Sequence, residues 1–366
     1  MKEIVFIVKQ LSQPRSIKRI ISIQQAGFVV KVYGFDSGLY SDNMKNLPFP
    51  IEKVFKRDKS DSKLKKVLFF LRSIRSIVKE NKNAVFYVFA YEVAPFARFF
   101  GCKKYVYEEA DVSAARIKNE LVRDLLLMVD RKTIRESLYT VFTSKGFIKY
   151  LFPKNTPSNI ILLPNKLSTY FDDSKRKAVN KQSIDYQNIK FGFVGLIRYP
   201  NTICRFAKVV GKHFPQHEFH FYGDVERPSM LDDEIKGFSN VFFHGRFSNP
   251  VDLTAIYEAI DINIVCYDVA SGNVLIAEPN KLYESIFFET PIVVSKGTFL
   301  EERVKEYGVG DAIDATKDDS IIEYIKALTS SNLNTYIEKM RSIPSSELID
   351  NADELIASLK KLQYDD

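Results

Sequence analysis

The stretch EPNKLYESIFFETPIVVS, residues 278–295, places Lys281 and Glu284 three residues apart just after Pro279. Proline is favoured at the first helical position, where its missing N–H costs nothing, so the sequence predicts that Pro279 opens a helix. On that helix Lys281 and Glu284 share a face, near the end where unpaired N–H groups and the helix dipole attract anions. Two readings follow. The pair is either an ordinary surface ion pair at a helix start, or a phosphate site with a carboxylate one turn deeper. A buried strand, PIVVS, follows directly.

Other chemical signatures are mostly missing. No GxGxxG follows the first strand, which argues against a dinucleotide dehydrogenase, and no GxxxxGK[ST] phosphate loop occurs. All the histidines (His213, His217, His220 and His244) fall in the second half. His213 and His217 have i, i+4 spacing, but Pro215 between them breaks a helix, so they read as surface or structural residues and not as a metal pair. Cys102, Cys204 and Cys266 are widely separated, without the paired spacing of a disulfide framework or zinc site, and read as small buried hydrophobes.

At 366 residues the chain is long enough for two domains, and 45% apolar with 27% charged residues describes a folded soluble protein. The opening MKEIVFIVKQ holds an apolar run too short for a signal peptide or a spanning helix, so a cytoplasmic location is expected. A formal charge of +7 invites nucleic-acid binding, yet acidic residues are interspersed and no nucleic-acid motif appears. The basic residues concentrate between Lys56 and Lys82, over an amphipathic helix, which points to a membrane surface before it points to DNA.

Strands alternate with helices along the whole chain, the pattern of parallel sheets covered on both faces. In the first half EIVFIV, FVVKVYGF, AVFYVFA, KYVYEEAD, YTVFTS and NIILLPN read as strands, with helices at SIKRIISIQQAG (closed by Gly27), 64–80 and 119–136. Between Leu167 and Asn188 the chain turns polar with no apolar period and reads as a linker. IKFGFVGLI, EFHFYG, VFFHG, INIVCY and PIVVS then restart the alternation. The fold class is therefore α/β, with two Rossmann-like doubly wound domains facing across a cleft, where such domains bind ligands.

The second half resembles the nucleotide-sugar-dependent glycosyltransferases of the GT-B type, in particular the family 4 enzymes that assemble bacterial capsular and surface polysaccharides. The resemblance rests on FGFVGLIRYPN, HFYGDVE, VFFHGRFSN, AIYEAIDINIVCY, EPNKLYESIFFETPIVVSKGTFLEERV and YGVGDAID, in the family's order. SIKRIISIQQAGFVVKVYGF, YVYEEADV, VFTSKGFIKYLFPKN and LLPNKL are weaker echoes in the first half. It implies an acceptor domain over 1–166, a linker over 167–188, a nucleotide-sugar domain over 189–333, and C-terminal helices over 334–366 that pack back toward the first domain.

The resemblance also assigns roles. Glu284 would accept hydrogen bonds from the ribose hydroxyls, and Arg198 and Lys281 would hold the diphosphate and stabilise its departure. A helical turn rises ~5.4 Å, comparable to the step from ribose to phosphate. Gly223 and the Arg246–Phe247 turn would lie by the base, with Gly195, Asn280 and Leu282 completing the nucleotide side. Many relatives carry a second glutamate eight positions before the ribose-binding one, but Ile276 stands there. Glu278 either substitutes for it or caps the helix, and the loop with Ser271, Gly272 and Asn273 would meet the sugar. Where relatives carry a His-Asp pair, this chain has Ala110 and Asp111. Asp111, with Glu109 nearby, either orients the acceptor hydroxyl or caps a helix.

The implied activity is hexosyl transfer, retaining, from a UDP- or GDP-sugar to a saccharide or lipid-linked acceptor, with no metal and no cofactor beyond the donor. A front-side mechanism in which the leaving phosphate takes the acceptor proton needs no strong protein base. A GT-B-fold epimerase and an inactive nucleotide-sugar or lipid-binding partner are the alternatives. From Leu64 to Lys79, Val67, Phe70, Leu71, Ile74, Ile77 and Val78 form one helical stripe beside Lys65, Leu68, Arg72, Arg75 and Lys79. The stripe packs on the first sheet, or the basic edge with Phe69 meets anionic lipid at the inner membrane face, or both.

Overall fold

The computed structural model describes residues 3–362 apart from residues 12, 37–46, 57–61, 180, 182–183 and 227–232. Two compact units result, one of Met1–Pro164 with Asn351–Asp366 and one of Asn165–Asp350. Both are parallel-sheet α/β domains of the Rossmann type.

The first sheet contains β1 (Glu3–Val8), β2 (Val29–Asp36), β3 (Ile51–Lys56), β4 (Val85–Phe89), β5 (Tyr105–Glu109), β6 (Tyr139–Phe142) and β7 (Ile160–Leu162). Its order is β3-β2-β1-β4-β5-β6-β7, parallel throughout. The second contains β8 (Lys190–Val194), β9 (Glu218–Tyr222), β10 (Val241–Gly245), β11 (Ile262–Val265), β12 (Ile292–Ser295) and β13 (Gly310–Ile313), in the order β10-β9-β8-β11-β12-β13. Parallel strands are covered on both faces, which is why β4, β11 and β12 are buried at every residue and apolar apart from Asn263 in β11 and Ser295 at the end of β12. The edge strand β3 is mostly exposed and lacks that signature, so the sequence did not announce it.

The segment expected to be a linker, 167–188, is instead built into the second unit. Leu167 and Phe171 are buried there, and Leu167 exchanges backbone hydrogen bonds with Leu348 and Asp350 at 3.0 and 2.7 Å. Cations pin the rest to backbone carbonyls: Arg176 donates to Met340 O at 2.6 Å and Lys181 to Tyr257 O at 2.9 Å. Burial lowers the Lys181 ammonium to about 8. Such anchoring leaves no apolar period to read. At the other end, 334–350 stays with the second unit, where Ser330–Ser342 buries Leu333, Ile337 and Met340, and the chain enters the first unit only at Asn351. There Asp353–Lys361 inserts Leu355 and Leu359 beside Ile4, Phe6 and Ile20.

The carboxyl ends of β8 and β9 approach closely because a glycine follows each of them, Gly195 and Gly223. Gly195 (φ +146°) donates to Tyr222 O at 2.8 Å, and Gly223 (φ +131°) donates to Gly245 O at 2.7 Å. A Cβ on Gly223 would lie 2.0 Å from the Gly195 carbonyl oxygen, whereas one on Gly245 (φ +73°) would meet nothing within 4 Å. Gly223→Ala is therefore predicted to cost roughly 2–4 kcal/mol from strain plus overlap, and Gly245→Ala about 1–2 kcal/mol from its left-handed conformation alone. Urea midpoints at unchanged m-value rank the two; equal losses would contradict the packing described.

Candidate functional site

In the second unit the strand order reverses at β8, which has β9 on one side and β11 on the other. Ligands of doubly wound sheets collect outside the carboxyl ends at such a point. Gly195 and Arg198 follow β8, Gly223 follows β9, and Arg246 and Phe247 follow β10. Ser271, Gly272 and Asn273 follow β11, and the helix Lys281–Phe287, leading back into β12, starts at the same edge. Residues spread over ninety positions are thus gathered by topology.

The Lys281–Glu284 pair is buried, which overturns the surface reading: the side chains are 7% and 4% exposed, with Lys281 Nζ 2.6 Å from Glu284 Oε2. The same oxygen accepts from the Tyr257 hydroxyl at 2.7 Å, and Oε1 accepts from Asn280 Nδ2. Three donors satisfy a carboxylate that has lost its water. Tyr257 is itself fixed by stacking on Phe288, with centroids 4.9 Å apart. Burial, and then the Glu284 charge, raise its phenol well above the ordinary value, so it donates and does not ionise. From β11, Asn263 Nδ2 reaches Ser285 Oγ at 2.8 Å and tethers the helix to the sheet.

Pro279 does not open this helix. The first helical residue is Lys281, and Asn280 precedes it with helical dihedrals (φ −53°, ψ −23°) while its amide turns to Glu284. Lys281 runs past Gly195, where a Cβ would sit 3.6 Å from Cε. Arg198 is exposed, with no ion-pair partner among the described residues, and lies near enough to the partly buried Tyr267 to counter part of the rise that desolvation gives its phenol. Tyr199 stacks on Tyr267 at 4.7 Å.

Other expected residues are differently employed. Leu282 is wholly buried, so its side chain belongs to the core. Ser271 stands at the N-cap position, without a side-chain capping bond, of a short helix, Gly272–Ile276, where a loop was expected, and Asn273 is buried within it. Glu278 accepts from the Tyr283 hydroxyl and lies 3.5 Å from Arg303 Nε, which commits it to a buried cluster; burial raises its carboxyl above the usual range. Arg246 pairs with Asp224, and Phe247 packs against the cluster containing Leu253 and Tyr257. Sequence reasoning missed Tyr257 and Asn263, although both lie in the quoted AIYEAIDINIVCY. Nothing local marks them, because their partners are 27 and 22 residues away.

In the first unit, Glu108 and Glu109 end β5 and point to opposite faces of the sheet. Glu108 meets Arg19 Nε at 3.0 Å, Arg15 Nε at 3.4 Å and the Tyr87 hydroxyl. Glu109 instead faces Asp130 of Glu120–Glu136; neither Glu109 oxygen has a hydrogen-bond partner among the described residues, and Asp130 Oδ1 accepts from the Tyr107 hydroxyl at 3.4 Å. Asp111 is exposed and pairs with Arg116 at 2.9 Å; Val112, not Asp111, precedes the short turn Ser113–Arg116 as its cap.

No protein-family model matches the chain, and no curated protein matches it. Solved structures do. HepE of Anabaena in complex with UDP-glucose is similar at TM-score 0.71 and 13% identity, over 100% of both chains. WaaG, a glycosyltransferase involved in lipopolysaccharide biosynthesis, is similar at 0.64 and 17%, over 92% of this chain and 94% of its own. The chain has the GT-B fold. A putative UDP-N-acetylglucosamine 2-epimerase from Listeria monocytogenes is similar at 0.59 and 11%, over 92% and 91%. These identities establish the fold and leave the chemistry to the site. All three cysteines are buried and free, and burial pushes Cys102 and Cys204 up to about 12.

The Glu109–Asp130 pair makes stability depend on pH. Burial is the main cause that raises both carboxyls, Asp130 to about 7 and Glu109 well above its usual value, where the Asp130 charge adds to it. Groups raised on folding stabilise the fold while protonated: the contribution is complete below the unfolded value of about 4 and is lost as pH rises through the folded one. Melting temperature is predicted to fall between about pH 5 and about pH 8, and to fall less steeply in Asp130→Asn, where an uncharged amide removes one of the two raised carboxyls. Identical slopes in calorimetric scans would refute the raised Asp130 carboxyl.

Proposed function

We propose that this protein is a retaining hexosyltransferase that moves a sugar from a nucleotide diphosphate sugar to a lipid-linked saccharide acceptor in polysaccharide assembly. The observation that carries the reading is the buried carboxyl of Glu284, hydrogen-bonded by Tyr257, Asn280 and Lys281 at the switch point of the second sheet. A preorganised acceptor beside two cations suits a ligand with hydroxyls next to phosphates. HepE, which shares the fold, is described in complex with UDP and with UDP-glucose.

Glu284 accepts the ribose hydroxyls; Lys281 and Arg198 take the diphosphate, and their charge, without a metal or further cofactor, stabilises the leaving group as the glycosidic bond breaks. Gly223 and the Arg246–Phe247 turn accommodate the base. The acceptor oxygen bonds to the anomeric carbon on the face the phosphate leaves, and its proton passes to that phosphate. Asp111 orients the acceptor hydroxyl, and the enzyme works at the cytoplasmic face of the membrane. The likeness to the epimerase favours one second reading, in which the same nucleotide site serves a sugar-nucleotide epimerase.

Calorimetry with UDP, GDP and their sugars tests the site. Glu284→Ala would strand Lys281 in a buried position, so Glu284→Gln is the cleaner variant. It is predicted to weaken UDP roughly tenfold to a hundredfold, as expected for hydrogen bonds to a charged group, while the melting transition stays cooperative. Unchanged affinity would remove Glu284 from the site. Product analysis separates transferase from epimerase: a glycosylated lipid with free nucleoside diphosphate, or an epimerised nucleotide sugar.

A further inference from the structure

Three adjoining helices of the first unit leave large apolar side chains in water. Helix Ala94–Phe99 packs against both Lys63–Glu80 and Glu120–Glu136. The first turns of Lys63–Glu80 expose Leu64, Val67 and Leu68, Leu64 to 69%. Phe96 and Phe99 are exposed on the middle helix, Phe99 to 78%. On Glu120–Glu136, Leu121, Leu125 and Met128 recur at i, i+4 and i+7 as one outward stripe, Leu121 84% exposed, while Leu127 and Ile134 face the core. Both longer helices follow a strand of the parallel sheet, β3 and β5, so their exposed first turns stand at the same end of it. Isolated exposed hydrophobes need no explanation; a set running across three neighbours does.

Charge identifies the occupant. Lys63–Glu80 carries six basic residues against one acidic. Its Arg72, Arg75 and Lys79 are exposed and form no ion pair among the described residues. On Glu120–Glu136 the nearby acids Glu120 and Asp124 are paired with Arg123, at 3.5 and 3.6 Å. A second copy would bring the same positive excess against itself, and nucleic acid would not need the apolar side chains. No helix among the described residues is long and apolar enough to cross a membrane, so contact would be interfacial.

We infer that this three-helix surface docks the protein on an anionic lipid bilayer, with Leu64, Phe99, Leu121 and Leu125 entering the acyl boundary and Arg72, Arg75 and Lys79 lying at the headgroups. Phe69, the residue expected from sequence to meet lipid, is not among them: it is half-buried beside Phe55, with ring centroids 6.3 Å apart. The inference deepens the proposed function, from which it takes a lipid-linked acceptor, but the docking itself is measured without nucleotide.

Co-sedimentation of the full chain with phosphatidylglycerol–phosphatidylcholine vesicles, and with phosphatidylcholine alone, tests it. The protein should pellet only with the anionic vesicles, and less as salt rises. Replacing Arg72, Arg75 and Lys79 by Gln should lower partitioning roughly a hundredfold, at the usual contribution per charge. Leu121→Ser with Leu125→Ser should lower it at least about tenfold; both variants alter exposed positions, and retained melting temperature confirms their folding. Equal recovery on both vesicle types, no binding to either, or wild-type binding by the serine variant would overturn the surface. So would a wild-type dimer that the serine substitutions make monomeric, since a second copy would then be the occupant. UDP calorimetry on the same preparations separates failure of docking from failure of the transferase reading.

Discussion

The second domain's site depends on a charge taken out of water. Lys281 and Glu284 lie side by side with almost no exposed surface, and desolvating two ions costs several kcal/mol each unless other groups replace the lost water. Tyr257 and Asn280 supply donors to Glu284, and Asn263 holds the helix through Ser285. Removing one partner of such a pair usually costs about 3–5 kcal/mol, so the helix, the sheet and the side-chain rotamers are selected together. The Glu284 side chain is already oriented by its donors, the condition under which a ligand hydroxyl gains most from it.

The same constraint is met differently in the first domain. The strand period turns adjacent glutamates to opposite faces, and each face resolves its buried charge in its own way. Glu108 is paired with arginines from the helix Pro14–Gln25, whereas Glu109 faces a second carboxyl and burial favours its protonated form. One dipeptide thus carries an ion-paired acid and a neutral acid, and only the packing of different helices distinguishes them.

Cations also take a structural part that composition obscures. Arg176 and Lys181 donate to backbone carbonyls of distant segments and hold residues after 165 against the second core. Their positive charge contributes to the excess that first suggests an acidic partner, yet it is spent internally. Arg72, Arg75 and Lys79 of Lys63–Glu80 differ in kind, being exposed on a helix whose Leu64, Val67 and Leu68 are exposed as well.

The sequence by itself determined the alternation of strands and helices, because parallel strands buried on both faces must be continuous apolar runs and amphipathic helices must carry a period near 3.6. It also marked Lys281 and Glu284 as neighbours, since i, i+3 spacing is a local property of a helix. It did not show that their environment is buried, that Tyr257 completes it, or that Glu278 is committed to Tyr283 and Arg303, because those partners come from other elements. It missed β3, an edge strand with little burial to shape its pattern, and it misread 167–188, which is held by cation-to-carbonyl hydrogen bonds and by scattered apolar anchors such as Leu167, Phe171 and Ile184 that follow no regular period. Which residues meet at the carboxyl edge, and which acids keep their protons, was decided by tertiary structure, since burial and the identity of a distant partner set a group's charge and local sequence sets neither.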